Sequence, residues 1–161
     1  MKTIKFLLGT GFYSGLIPKA PGTAGSLFSV FIIFLIIQAQ IYGLLLLFVI
    51  LSSIISLWVA PYFEDEFGED PGKMVIDEWA GQGLTFITIS FSGSPRADIL
   101  LLISGFLLFR FFDILKPLGI NKLQNIKGGT GILADDLLAG LFALICLKTL
   151  IFVWPNLFGI V

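Results

Sequence analysis

Carboxylates recur where apolar segments of the chain begin or end. Five of them stand at the ends of three such segments: Asp77, Glu78, Asp113, Asp135 and Asp136. A carboxylate in low-dielectric surroundings has to be paired with a cation, protonated or bound to a metal ion. We therefore expect the three segment ends to converge on one acidic site.

Oxygen ligands of this kind suit a hard divalent cation, and no soft ligand accompanies them. Mg²⁺ and Mn²⁺ prefer carboxylate oxygens and keep water molecules that a phosphate group can displace. The chain has no histidine and a single cysteine, Cys146, which excludes zinc sites built on these residues and an internal disulfide. Without a metal, each acid could instead pair with a nearby lysine or arginine at a membrane interface.

Basic and hydroxyl side chains near the acids could bind phosphate. Arg110 and Lys116 lie three residues on either side of Asp113, which places them near one face of a helix. Lys19 and Thr23 lie where a glycine-containing turn opens a helix, and free backbone N–H groups at such an end attract anions. The alternatives are an intrahelical ion pair in the first case and an ordinary turn and cap in the second.

The composition predicts an integral membrane protein. Of the 161 residues, 57% are hydrophobic and 13% are charged, whereas about 25% are charged in soluble domains. The mean hydropathy is +0.99. The length suits one domain spanning residues 1–161, and no basic tract indicates binding to nucleic acid.

The apolar segments predict an all-α, polytopic bundle of about five membrane-embedded helices. We expect these helices near residues 27–38, 44–60, 77–91, 98–116 and 131–153, with a solvated helix end and loop over 61–73. Thr23 or Ser26 should cap the first helix. Trp58, Trp79 and Trp154 lie near helix ends and should anchor the bundle at the membrane interface.

Charge distribution predicts the orientation of the bundle. With five spans, eight of the ten basic residues fall on one side: Lys2, Lys5, Lys19, Lys73, Arg110, Lys116, Lys122 and Lys127. The positive-inside rule makes that side cytoplasmic, with the N-terminus inside and the C-terminus outside. The acidic site falls on the same face. The apolar stretch at the N-terminus lacks a cleavage pattern, so we expect it to be retained.

Four motifs resemble one family in its order and cover most of the chain. The segments Gly11–Ser26, Val75–Gly81, Phe109–Pro117 and Gly128–Gly140 closely resemble phosphatidylglycerophosphatase A. The resemblance implies a Mg²⁺-dependent lipid phosphatase of the bacterial inner membrane, which converts phosphatidylglycerophosphate to phosphatidylglycerol and inorganic phosphate. One departure is Leu118, where relatives often have an aromatic residue after Lys-Pro.

The same resemblance implies roles for particular residues. The five acids would form the metal centre, and Arg110, Lys116 and Thr23 would contact phosphate. We expect Asp77, Asp113 and Asp136 to be catalytic.

The attacking group is either a water activated at one or two metal ions or a carboxylate that forms an aspartyl-phosphate. For the second route the candidates are Asp77 and Asp113. Because Asp135 and Asp136 differ by about 100° around their helix, we expect one of them to face the centre.

Two other functions fit parts of the pattern. A phosphatidyltransferase that uses a CDP-lipid would need an Asp-Gly motif with paired Asp-x3-Asp spacing in one segment, which the chain lacks. An ion or proton carrier would place its acids near the middle of the membrane. The acids here lie at one boundary, which favours the phosphatase, whose lipid substrate would enter laterally from the inner leaflet.

Overall fold

The computed structural model describes residues 1–41, 43–69, 71–117, 119–120, 123, 126 and 128–159. The six α-helices within these ranges are α1 (Lys2–Gly9), α2 (Pro21–Gln38), α3 (Leu44–Phe67), α4 (Ile76–Leu84), α5 (Pro95–Leu115) and α6 (Gly129–Val153). Short 3₁₀ turns occupy Ser14–Leu16 and Pro155–Phe158, and no strand occurs in the described ranges. The predicted all-α class is confirmed.

Three helices are long and apolar enough to cross a membrane, namely α2, α3 and α6. Helix α5 has 21 residues but carries charged side chains near both ends, including Asp98 and Arg110. The count of about five membrane-embedded helices therefore stays a prediction.

Helix α4 is much shorter than the predicted segment over 77–91. It ends at Leu84, and turns follow over residues 85–88. Gly81 and Gly83 lower its helix propensity, and the residues after Leu84 include several β-branched side chains. Thr85, which follows the last helical residue, donates its hydroxyl to the Gly81 carbonyl at 3.1 Å. A helix of nine residues cannot span a bilayer.

Other helix boundaries also differ from the sequence prediction. Helix α2 begins at Pro21, a favoured residue for the first helical turn, so Thr23 and Ser26 lie inside the helix and do not cap it. Helix α3 continues through Pro61 to Phe67 and so ends later than the predicted end near Ala60. Residues 65–69 are exposed, as predicted for a solvated helix end, whereas Phe63 is buried.

Helix α4 lies at the centre of the bundle and contacts α2, α3, α5 and α6. The starts of α2, α4 and α6 and the ends of α3 and α5 gather at one end of the bundle. Along α6, Asp136 lies about 26 Å from Val153 at a rise of about 1.5 Å per residue. This length is close to the hydrocarbon thickness of about 30 Å, and the position of the acids at one membrane boundary stays a prediction.

Helices α4 and α6 cross with their backbones in direct contact. A Cβ atom on Gly81 would lie 2.4 Å from the Asp136 carbonyl oxygen, and one on Gly140 would lie 2.2 Å from the Gly81 carbonyl oxygen. Asp77 and Asp136 each lie one helical turn before the glycine of their own helix. The glycine contact thereby brings these two carboxylates to the same level of the bundle.

Trp79 is part of the core, and its predicted place at the membrane interface is wrong. Its side chain is only 4% exposed, whereas Trp58 is 42% and Trp154 is 55% exposed. Its ring centroid lies about 6 Å from those of Phe12, Phe28 and Phe48. Because Trp79 follows Glu78 directly, its packing holds the start of α4 in place.

Substituting Gly140 with alanine should destabilise the protein. The new methyl group would overlap the Gly81 carbonyl, which cannot move without shifting α4, and we expect a loss of about 3 kcal/mol. Unfolding of the purified protein in detergent would measure the loss. Gly72→Ala is the matched control, since a Cβ there meets no atom within 4 Å. Equal stability of the two variants would contradict a backbone contact between α4 and α6.

Candidate active site

A cavity of about 670 Å³ opens at the end of the bundle where the acidic residues gather. The described residues that line it are Glu64, Glu69, Gly72, Met74, Asp77, Glu78, Asp113, Lys116, Ile126, Gly128, Ile132, Asp135 and Asp136. All five acids singled out in the sequence are in this set. The structure thus brings together side chains from α4, α5 and α6.

Three of these acids lie close enough to share one cation. Asp113, Asp135 and Asp136 each place a carboxylate oxygen within 4.8 Å of the other two. Oxygens on opposite sides of a Mg²⁺ ion are about 4 Å apart, so small side-chain rotations would complete such a site. Both aspartates of α6 belong to this group, although their angular separation had led us to expect only one.

Arg110 joins two acids instead of lining the cavity. Its Nη1 donates hydrogen bonds to Glu78 Oε2 at 2.7 Å and to Asp113 Oδ2 at 2.6 Å. The Ser26 hydroxyl donates to the same Glu78 oxygen. The guanidinium group therefore neutralises charge between α4 and α5, and its contact with phosphate stays a prediction.

The other predicted phosphate contacts occupy different surroundings. Lys116 lines the cavity and donates a hydrogen bond to Asp135. Lys19 is exposed and Thr23 is half-buried, and neither is among the described residues that line the cavity. Gly22, which lies between them in sequence, packs against the site, since a Cβ there would lie 2.1 Å from Glu78 Oε1.

Burial changes the proton affinity of the two acids at the start of α4. The pKa of Glu78 is raised to about 7 because its burial outweighs the opposing effect of Arg110, and the charge of Asp113 raises it further. The pKa of Asp77 is raised by burial first and then by Glu78. Asp77 Oδ1 is buried and has no hydrogen-bond partner among the described residues.

The donor set of the cavity fits Mg²⁺. Among the described lining residues, seven are carboxylates and one is a lysine. The excess of negative charge, the three clustered aspartates and the unpartnered oxygen of Asp77 all call for a cation with oxygen ligands.

Sequence reasoning missed three residues of this region, Glu64, Glu69 and Ser26. Glu64 was assigned to a solvated stretch, but it follows Ala60 by one helical turn, and Ala60 packs against Gly129 at the start of α6. Ser26 follows Gly22 by one turn on the buried face of α2. With the correct bounds of α2 and α3, the helical periodicity indicates that Glu64 and Ser26 face the site.

Comparison with known proteins gives a match to a family model and several similar proteins. Residues 7–151 match the family model described as phosphatidylglycerophosphatase A. A Bacteroides thetaiotaomicron protein provisionally named a phosphatidylinositol-3-phosphatase is 39% identical over an alignment of 145 positions, and the match covers 86% of this chain and 88% of that protein.

Two proteins named phosphatidylglycerophosphatase A are also similar. The Haemophilus influenzae protein is 34% identical over 141 residues, covering 86% of this chain and 83% of its own. The Escherichia coli protein is 33% identical over 153 residues, and the match covers 92% of this chain and 84% of that protein. No solved structure shows significant similarity.

The raised pKa of Glu78 predicts how stability depends on pH when no divalent cation is present. In the unfolded chain this glutamate titrates near its ordinary value of 4.5, and in the folded protein near 7. Its contribution to stability is therefore complete below about pH 4.5 and lost as the pH rises through about 7. In EDTA, the melting temperature should fall between pH 5 and 8.

The melting temperature of the Glu78→Gln variant should fall less steeply over this pH range. Added Mg²⁺ should counteract the fall in the unsubstituted protein. The same pH dependence of the melting temperature in both proteins would contradict the predicted titration.

Proposed function

The chain belongs to the phosphatidylglycerophosphatase A family of phosphoric monoester hydrolases, and on this premise we propose that it hydrolyses phosphatidylglycerophosphate in a Mg²⁺-dependent reaction. The products are phosphatidylglycerol and inorganic phosphate. The observation that carries the proposal is the cluster of Asp113, Asp135 and Asp136 inside a cavity large enough for a lipid headgroup.

The metal would be held by the three clustered aspartates, with Asp77 and Glu78 beside them. When bound, it would neutralise the charge of the phosphate group in the transition state. Lys116 lies at the same wall and carries a positive charge toward the cavity, so it is placed to bind a phosphate oxygen. Its hydrogen bond to Asp135 keeps it close to the cluster.

Asp77 is the acid best placed to accept a proton. One of its oxygens is buried without a partner among the described residues, so this oxygen is available to accept a proton. We propose that Asp77 accepts the proton of the attacking water. The water oxygen bonds to phosphorus and the bond from phosphorus to the glycerol oxygen breaks. The departing oxygen takes a proton from water in the cavity, and that water regains a proton from Asp77.

The alternative route through an aspartyl-phosphate would also use Asp77. Asp113 was the other candidate, but it accepts a hydrogen bond from Arg110 and belongs to the aspartate cluster. Its oxygens are therefore less available for attack on phosphorus than the unpartnered oxygen of Asp77.

The bundle fits a place in the bacterial inner membrane with the cavity open to the cytoplasm. Apolar side chains cover the outer faces of α2, α3 and α6, including Phe31, Leu51 and Ile145. The basic residues predicted to lie inside include Lys116, which lines the cavity. A phospholipid of the inner leaflet could keep its acyl chains against these faces while its headgroup enters the cavity.

Phosphatidylinositol-3-phosphate is a second candidate substrate. The 39% identity to the Bacteroides thetaiotaomicron protein favours including it, because that protein's name specifies this lipid. Both lipids present a phosphate monoester on a polyol headgroup. A direct comparison of the two with purified protein decides between them.

Phosphate release from phosphatidylglycerophosphate by purified protein in detergent tests the proposed function. We expect release with Mg²⁺, none in excess EDTA, and faster release than from phosphatidylinositol-3-phosphate. Asp113→Asn should reduce the rate by about 100-fold or more, since loss of even an outer partner of a metal ligand typically costs 10–100-fold.

Asp98→Asn is the matched control for this experiment. Asp98 is a fully buried acid on the same helix, but it lies at the opposite end and accepts hydrogen bonds from Ser92. It should retain most of the activity. Release that persists in EDTA would remove the metal from the mechanism, and folded protein that releases no phosphate would favour the ion-carrier alternative.

Labelling of introduced cysteines tests the orientation. In a Cys146→Ser background, Asp65→Cys places a thiol at the exposed end of α3 near the cavity, and Asn156→Cys places one at the opposite end. In spheroplasts, an impermeant maleimide should label Asn156→Cys at once and Asp65→Cys only after permeabilisation. The reverse pattern would place the cavity on the periplasmic side.

A further inference from the structure

Ser26 occupies a point where three helices meet. It belongs to α2, is 0% exposed, and donates its hydroxyl to Glu78 of α4. Its oxygen also accepts a hydrogen bond from Arg110 Nη1 of α5 at 3.3 Å. One hydroxyl group thus links α2 to both charged partners of the Arg110–Glu78 ion pair.

These contacts continue into the aspartate cluster. Arg110 binds Glu78 and Asp113 through the same nitrogen, and Asp113 is one of the three acids that approach each other within 4.8 Å. The orientation of Asp113 therefore depends on the position of Arg110, which depends in turn on the Glu78 carboxylate held by Ser26.

Glu78 is confined on both of its oxygens. Oε2 accepts hydrogen bonds from Ser26 and Arg110, while Oε1 lies against the Gly22 backbone so closely that a Cβ there would be 2.1 Å away. This carboxylate is also absent from the clustered trio. It acts as a fixed support for Arg110 more readily than as a freely moving metal ligand.

We propose that Ser26 is a positioning residue that orients Asp113 in the metal site through Glu78 and Arg110. The inference rests on the proposed function of the site. Ser26 itself is fully buried and is not among the described residues that line the cavity, so it acts without touching the substrate or the metal. Hydrogen-bonded partners of metal ligands fix ligand orientation and thereby tune metal affinity and activity.

The chain offers a closely matched control in Ser29. This residue is also 0% exposed and lies on the next turn of α2, but its hydroxyl donates to the Ser26 carbonyl at 2.8 Å within the helix. Replacing either serine with alanine removes one buried hydroxyl from α2. Only the substitution at Ser26 removes a contact with the acidic site.

Binding of Mn²⁺, measured by calorimetry on the detergent-purified protein, is the first readout because it needs no substrate. We expect Ser26→Ala to weaken binding by about 10-fold and Ser29→Ala by less than 2-fold, at similar melting temperatures. Phosphate release at saturating Mg²⁺ should show a lower kcat for Ser26→Ala with little change in KM, since the substrate contacts are intact.

A double substitution separates positioning from general destabilisation. In a Glu78→Gln background, Ser26→Ala should add less than about 2-fold to the loss of Mn²⁺ affinity, because the link through Glu78 is already weakened. A full additional loss in that background would overturn the proposal, as would equal effects of the two alanine substitutions.

The outcomes also distinguish this proposal from the proposed function. If the unsubstituted protein binds Mn²⁺ but releases no phosphate, the function is wrong, while the affinity comparison still tests Ser26. If the unsubstituted protein releases phosphate and Ser26→Ala matches it in both affinity and kcat, the positioning role is wrong and the function stands.

Discussion

Negative charge confined among apolar helices is the constraint on which this structure depends. Seven of the described residues that line the cavity are carboxylates, and Lys116 is the one cation among them. Like charges at this density repel strongly where water is scarce, so protons or a divalent cation must accompany the folded state. The ion pairs of Arg110 and Lys116 neutralise only part of this charge. The metal binding that we propose would therefore be linked energetically to the integrity of the bundle.

The main features of the site could be predicted from the sequence because residue type and position along the chain carry them. Asp77 lies at the start of one apolar segment, Asp113 near the end of the next and Asp136 near the start of the third. A bundle whose segments alternate in direction brings these ends together. Carboxylates without histidine or additional cysteine already indicate a hard cation. The all-α class follows in the same way from the length and composition of the segments.

Details that depend on helical phase or on packing could not be predicted. The capping role assigned to Thr23 fails because Pro21 starts α2 earlier, and this shift turns Ser26 toward Glu78. Glu64 lines the cavity because α3 continues beyond Pro61, a residue that usually signals a helix end. Tryptophan near a helix end is typical of an interfacial anchor. Trp79 lies in the core because of the side chains packed around it, which the sequence pattern does not reveal.

The contact between Gly81 and Gly140 has a consequence for how the protein tolerates different membranes. Bilayers that thin or thicken make transmembrane helices tilt, and a seam of long side chains can yield to such tilting by changing rotamers. Here two backbones touch directly, one turn from Asp77 and Asp136, so the contact between α4 and α6 at this point does not depend on side-chain rotamers. We therefore expect tilting to displace the far end of α6, while the spacing of the two carboxylates beside the crossing is preserved.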